Sequence, residues 1–137
     1  MNYLLDTNVI SEIRKGAQGH AQVMSWWKST KASQVYLSVL SLGEIREGIL
    51  KIKHKDGNRA RRLEVWLSGL RRFYSSRLVP VDESVALVWA DVRRHRSLPL
   101  IDSLMAASAI SRDMIFVTRN TRDVEDCGVR FLNPFEA

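Results

Sequence analysis

Tyr3-Leu4-Leu5-Asp6-Thr7-Asn8 joins a short apolar run to a polar stop, and a helix-like pattern from Val9-Ile10 to Ile13 follows at once. An apolar run of this length with an abrupt polar end reads as a buried strand. Asp6 therefore stands at the carboxyl end of a strand. In open α/β sheets that is where ligands and catalytic groups collect. The ordinary alternative is that Asp6 or Asn8 only caps the next helix. The choice depends on whether other acids arrive at the same place.

Working outward, Val35-Tyr36-Leu37, Leu78-Val79-Pro80-Val81, Ile115-Phe116-Val117-Thr118 and Val129-Arg130-Phe131-Leu132 read as further strands. Helical patterns separate them. Val9 to Lys15 is a short helix stopped by Gly16, and Ala21 to Lys28 is a second. Ser38 to Ser41 turns the chain into a third, with Leu42, Ile45, Ile49 and Ile52 spaced 3, 4 and 3. Lys51, Lys53 and Lys55 finish it, where cations suit the helix dipole. Leu63, Trp66, Leu67, Leu70, Phe73 and Tyr74 mark a long amphipathic helix. Asp82 is a good N-cap for a helix reaching His95, and Pro99 introduces one from Leu100 to about Arg112. The last is rich in Ser103, Ala106, Ala107, Ser108 and Ala109, which permit close packing on a sheet. Trp26 and Trp27 are adjacent and are predicted to point to different faces, so that they do not enter one core equally. Alternating strands and helices imply an α/β fold: three layers, α/β/α, around a central, mainly parallel sheet of 4–5 strands. The length of 137 residues suits a single domain spanning 1–137.

A hydrophobic fraction of 45% supports a real core. No apolar run approaches the ~18–20 residues of a transmembrane helix, and the first residues lack the basic and long apolar regions of a secretory signal. The single cysteine, Cys127, makes no internal disulfide, which fits a reducing cytoplasm. The net charge of +6 tilts the chain toward a polyanionic partner such as nucleic acid. Arg59, Arg61, Arg62, Arg71 and Arg72 on the long helix form either a solvated surface or a phosphate-contacting one. His20, His54 and His95 have polar or helix-end settings and read as surface residues.

Four acids share one topological position. Asp6 follows the first strand, Glu44 lies in the first turn of the helix after the second, Asp102 begins a helix packed near the sheet, and Asp123 follows the fourth strand. In a parallel sheet these places lie on one rim. Each has an ordinary reading. Glu44 is three residues after Ser41, a capping-box spacing; Asp102 suits a helix dipole; Asp123 can cap the turn before Glu125 and Asp126. Jointly, four clustered carboxylates need a cation to neutralise them. Oxygen ligands without His or Cys suit Mg²⁺ or Mn²⁺. Such an ion activates water and stabilises a phosphoryl transition state.

Leu5-Asp6-Thr7-Asn8-Val9-Ile10-Ser11-Glu12, Ser41-Leu42-Gly43-Glu44-Ile45, Leu100-Ile101-Asp102-Ser103-Leu104-Met105-Ala106-Ala107 and Val117-Thr118-Arg119-Asn120-Thr121-Arg122-Asp123 resemble the four signature segments of the PIN domain. The resemblance is closest to bacterial toxins of the VapBC type, including FitB-like proteins, and the ending Gly128 to Phe135 is similar to that subgroup. It implies a PIN-like fold and a type II toxin: a metal-dependent endoribonuclease using Mg²⁺, with Mn²⁺ able to substitute. Asp6, Glu44 and Asp102 match the family's principal acids, and Asp123 matches an acidic position of the fourth segment. Glu44 and Asp123 would reach the metal directly or through water. Thr7, Asn8, Thr118 and Asn120 would support the site. Water would attack an RNA phosphodiester in line, leaving a 5′-phosphate and a 3′-hydroxyl. The resemblance further implies a homodimer, a cognate VapB-type antitoxin that blocks the site, and a higher assembly with operator DNA. Val124 stands where Phe is frequent and Phe135 where Trp is common, both packing changes. The alternative function is a non-catalytic nucleic-acid- or protein-binding module on the same fold. A phosphatase of the haloacid-dehalogenase type wants a second Asp where Asn8 stands. A receiver domain wants an acidic pair that is missing. Neither G-x-G-x-x-G nor G-x-x-x-x-G-K-[ST] occurs, so dinucleotide and P-loop binding have no support.

Overall fold

The computed structural model describes residues 1–94 and 96–136. The apolar runs form five strands: β1 (Tyr3–Leu5), β2 (Val35–Ser38), β3 (Leu78–Val79), β4 (Ile115–Val117) and β5 (Phe131–Leu132). They make one parallel sheet in the order β3-β2-β1-β4-β5. Leu5 at the end of β1 is in register with Leu37 on one side and Val117 on the other. The quoted stretch is thus the centre of the sheet, and Asp6 emerges between the ends of β2 and β4.

Strand periodicity divides the core in two. Leu5, Val35, Leu37 and Val117 face a cluster shared with Val9, Ile10, Val23, Ile45, Ile49 and Ala60. These come from α1 (Thr7–Arg14), α2 (Ala21–Ser29), α3 (Val39–Ile52) and α4 (Gly57–Phe73). Leu4, Val79 and Phe116 face the opposite way, onto Met105, Ala106 and Ala109 of α6 (Leu100–Ser111). Val85 and Val92 of α5 (Glu83–Val92) pack beside α6 against Ala107 and Leu98. The sheet therefore has helices on both faces, and its strands are apolar on both faces for that reason. Ser103, Ala106, Ala107, Ser108 and Ala109 are all fully buried, as their small size predicts. Asp82 caps α5 by accepting from Val85 N–H at 3.0 Å, and Asp56 caps α4 through Arg59 N–H at 3.1 Å.

Several boundaries differ from the sequence reading. Helix α3 is capped by Ser38, whose hydroxyl accepts from Leu40 N–H at 3.0 Å. The helix therefore starts before Ser41, Glu44 lies in its second turn, and Ser41 is buried inside it. Lys53 is its C-cap, so Lys55 lies beyond it. β3 stops before Pro80, which lacks a donor for the ladder. Helix α5 ends at Val92, and His95 lies outside the described residues. Trp26 and Trp27 were predicted to diverge, yet both half-buried rings border the same core. Trp26 meets Tyr3 edge-on at 5.4 Å, and Trp27 lies over Leu5, Leu37 and Leu70.

Neighbouring positions of α3 test this packing. Ile49 is fully buried and Leu50 is 50% exposed. Ile49→Ala is expected to lower unfolding stability by about 2–5 kcal/mol, and Leu50→Ala by less than about 1 kcal/mol. Urea denaturation measures both, and equal losses would refute the assignment of the buried face.

Candidate active site

Asp6 is only 5% exposed. A buried carboxylate needs partners for its oxygens, and the start of α1 and the end of β4 supply them. The Thr118 hydroxyl donates to Oδ2 at 2.7 Å, and Thr7 N–H donates to Oδ1 at 2.7 Å. Asn8 Nδ2 lies 3.4 Å from Oδ2. Thr118 is itself fixed: its N–H donates to Leu132 O at 3.0 Å, and its hydroxyl accepts from Asn120 N–H at 3.0 Å. Asp6 N–H donates to Val117 O at 2.8 Å, tying the residue to the end of β4. Capping and clustering turn out to coexist, because Asp6 is the N-cap of α1 and also faces the other acids.

Glu44 reaches the same place from α3. The Thr7 hydroxyl donates to Glu44 Oε1 at 2.5 Å and lies 2.9 Å from the Ser41 hydroxyl. Asp102 occupies the first turn of α6, as the sequence predicts. That turn is held by Ser103, whose hydroxyl donates to Leu100 O at 2.8 Å and accepts from Trp89 Nε1–H at 3.0 Å. Asp123 ends a short 3-10 turn, Thr121–Asp123, whose N-cap Asn120 makes no side-chain cap hydrogen bond.

The four acids feel one another. Burial pushes the Asp6 carboxyl above its ordinary value; the Thr118 hydroxyl and Thr7 N–H oppose that, while the charges of Glu44 and Asp123 add to it. Burial pushes Asp102 up to about 6, and Asp6, Asp123 and Glu44 contribute in that order. None of the ion pairs among the described residues uses any of the four. They remain an open set, since no three His, Cys, Asp or Glu side chains among the described residues close into a metal-binding group. Asn8 Oδ1, beside Asp6, is buried without a hydrogen-bond partner.

The supporting residues divide. Thr7 and Thr118 each hold an acid directly, whereas Asn120 is exposed and enters through its backbone N–H. The arginines of α4 do not act together. Arg59 lines a groove of about 400 Å³ that includes Thr7, Glu44, Arg14, Lys15 and Trp66. Arg71 and Arg72 line a separate depression with Ser68, Ser75 and Leu78. Arg61 and Arg62 are exposed, and no ion pair among the described residues involves any of the five. Sequence reasoning missed Arg14 and Ser41, which reach the site through tertiary packing. Ser41 was read as a cap, but its contact with Thr7 spans 34 positions and leaves no local signal. Val124 and Phe135, the two departures from the usual pattern, are both buried packing residues.

Residues 3–126 match the family model described as "PIN domain", and the chain belongs to that family. It is 32% identical over 139 residues to Toxin FitB of Neisseria gonorrhoeae, covering 96% of this chain and 97% of that one. It is 28% identical over 139 residues to VapC ribonuclease Y4jK of Sinorhizobium fredii, with 97% of both covered. Among solved structures it superposes on FitAcB from Neisseria gonorrhoeae with a TM-score of 0.89 at 29% identity, over 98% of this chain and 99% of that chain. FitAB bound to an IR36 DNA fragment gives 0.87 at 29% identity, over 97% and 95%.

A carboxyl raised from 3.8 to about 6 binds its proton more readily folded than unfolded. Its ionisation therefore opposes folding, and stability from this group falls as pH rises through that window. In EDTA, Asp102→Asn is expected to match the parent at pH 3.5. At pH 8 it should exceed the parent by about 1–2 kcal/mol, kept below the full linkage value by solvent screening. Thermal unfolding at the two pH values checks this, and a variant no more stable at pH 8 would contradict the raising of Asp102 by burial and its acidic neighbours.

Proposed function

We propose that the protein is the toxin component of a type II toxin–antitoxin system, acting in the cytoplasm as a metal-dependent endoribonuclease. On this reading residues 1–137 act as one PIN domain. One observation carries it: Asp6, Glu44, Asp102 and Asp123 meet at a single sheet edge, where burial and the neighbouring carboxylates raise Asp6 and Asp102, and no ion pair among the described residues offsets them. A folded protein keeps such an uncompensated cluster for a cationic ligand. The donors are all oxygen, which suits Mg²⁺, with Mn²⁺ as a substitute, and the orphaned Asn8 Oδ1 beside Asp6 adds a neutral oxygen.

Asp6, Glu44, Asp102 and Asp123 would hold the ion, with Glu44 and Asp123 acting directly or through water. When bound, it supplies Lewis-acid activation of water and neutralises phosphoryl charge. The chain's own residues do the positioning. Thr118 and Thr7 N–H fix the Asp6 oxygens, and the Thr7 hydroxyl fixes Glu44. Burial and the other three acids push the Asp102 carboxyl up to about 6, a penalty on its ionised form that a bound cation would relieve. RNA is the substrate, cut by water to a 5′-phosphate and a 3′-hydroxyl. A cognate VapB-type antitoxin blocks the site, and a homodimer joins antitoxin and operator DNA. The FitB, VapC and FitAB relatives support these assignments. Among the described residues no helix is long and apolar enough to cross a membrane.

The alternative, a non-catalytic binding module, draws on the open arrangement of the acids. Expression without antitoxin separates the two. The parent chain is expected to arrest growth and to cut total RNA only when Mg²⁺ or Mn²⁺ is present. Asp6→Asn or Glu44→Gln should relieve the arrest and lower cleavage at least 100-fold, on the order of the loss of an electrostatic catalytic group. Toxicity retained in both variants would exclude metal-dependent cleavage.

A further inference from the structure

Two exposed arginines on elements that carry the acids each lie over an aromatic ring. Arg119 directly follows Thr118, the residue that holds Asp6, and its guanidinium lies 4.5 Å from the centroid of the buried Phe135 ring. Phe135 in turn meets the exposed His20 ring at 5.1 Å. Arg14 ends α1, the helix that Asp6 caps, and its guanidinium lies 5.2 Å from the Trp66 ring centroid. Arg14 lines the groove that contains Thr7 and Glu44. Arg119 follows β4, which pairs with β1 on the side opposite β2, whereas Arg14 reaches the groove formed with α3 and α4. The stacked cations therefore stand on two sides of Asp6.

Neither arginine has an ion pair or a side-chain hydrogen bond among the described residues. This contrasts with Arg46, Arg96, Arg112 and Arg130, which are paired with acids. The ring restrains each guanidinium, and its N–H groups have no partner among the described residues. A restrained guanidinium can bind a phosphate in two-pronged fashion at a lower ordering cost than a free side chain. A polyanion approaching four carboxylates is repelled unless cations stand beside them. We propose that Arg14 and Arg119 form a clamp for single-stranded RNA, gripping backbone phosphates on either side of the scissile one and drawing the strand across Asp6. The clamp rests on the ribonuclease reading and replaces the far end of α4, where Arg71 and Arg72 sit, as the binding surface. Single-stranded RNA is the form that suits this neighbourhood, because the exposed His20 beside Phe135 is an aromatic side chain of the kind on which an unstacked base packs.

The test separates binding from cleavage. In the Asp6→Asn background, with EDTA, fluorescence anisotropy gives the affinity for a single-stranded RNA oligonucleotide across a salt series. Arg14→Ala and Arg119→Ala should each weaken binding about 10-fold and reduce the slope of log affinity against log salt by about 0.7, the value for one phosphate contact on a single strand. The double variant should lose about twice that slope, and Arg→Lys at either position should recover part of the affinity. With Asp6 restored and metal present, the alanine variants should raise KM with kcat within about threefold. Thermal unfolding reports whether the variants remain folded. Unchanged slopes in folded variants, no measurable RNA binding by Asp6→Asn, or loss of affinity for an acidic peptide in place of RNA would overturn the clamp. A parent that binds RNA with these slopes yet never cuts it would instead overturn the ribonuclease reading.

Discussion

A carboxylate buried at the end of the central strand is the constraint on which the rest depends. Removing Asp6 from water opposes its ionisation, and only well-placed donors offset that. The donors come from α1, through Thr7 N–H, and from the end of β4, through Thr118. Thr118 can serve because β5 fixes its backbone through Leu132 O. Three strands and one helix start are thereby tied to one side chain. The arrangement also explains why threonines follow both strands. Thr7 supports Glu44 and Thr118 supports Asp6, so each strand end supplies a hydroxyl to an acid from another part of the chain.

Charge is distributed by function rather than by abundance. The chain carries a net +6, yet the ion pairs among its described residues lie away from the acidic rim. Such exposed pairs contribute little to stability. The four acids of the rim are without pairs, and the charges of Asp6, Asp123 and Glu44 add to the burial that raises Asp102. On the proposed reading, the same rim repels phosphate through its carboxylates and attracts it through Arg14 and Arg119. A cation between carboxylate and phosphate resolves that opposition.

The sheet and the acids were legible in the sequence because both leave local marks. Tyr3-Leu4-Leu5 and Ile115-Phe116-Val117 are apolar on both faces, as strands covered on both sides must be. Asp6, Asp102 and Asp123 stand at element ends, and topology carries element ends to one rim. Glu44 was found at the right place for a partly wrong reason, because the cap is Ser38 and not Ser41. Helix starts are set by which hydroxyl can reach an N–H, and two serines three positions apart look alike in sequence. The convergence of Trp26 and Trp27 on one core depends on how α2 sits against β1 and α4, which neighbour spacing does not encode. Arg14 and Arg119 are hidden in the sequence for a similar reason. Charge density on α4 is visible in the sequence, whereas a guanidinium stacked on a ring from another element is not.

The hydrogen bond between Asp6 and Thr118 spans 112 positions. A chain made from its amino end presents Asp6 a full 112 positions before Thr118. β1 meanwhile waits for the strand that completes it on one side. Contacts this distant in sequence form late and slowly, because the intervening loop must close before they can form. The acidic rim is therefore complete only when segments far apart in the chain have met. A partial chain that stops short of Thr118 carries its first acid without the hydroxyl that orients it.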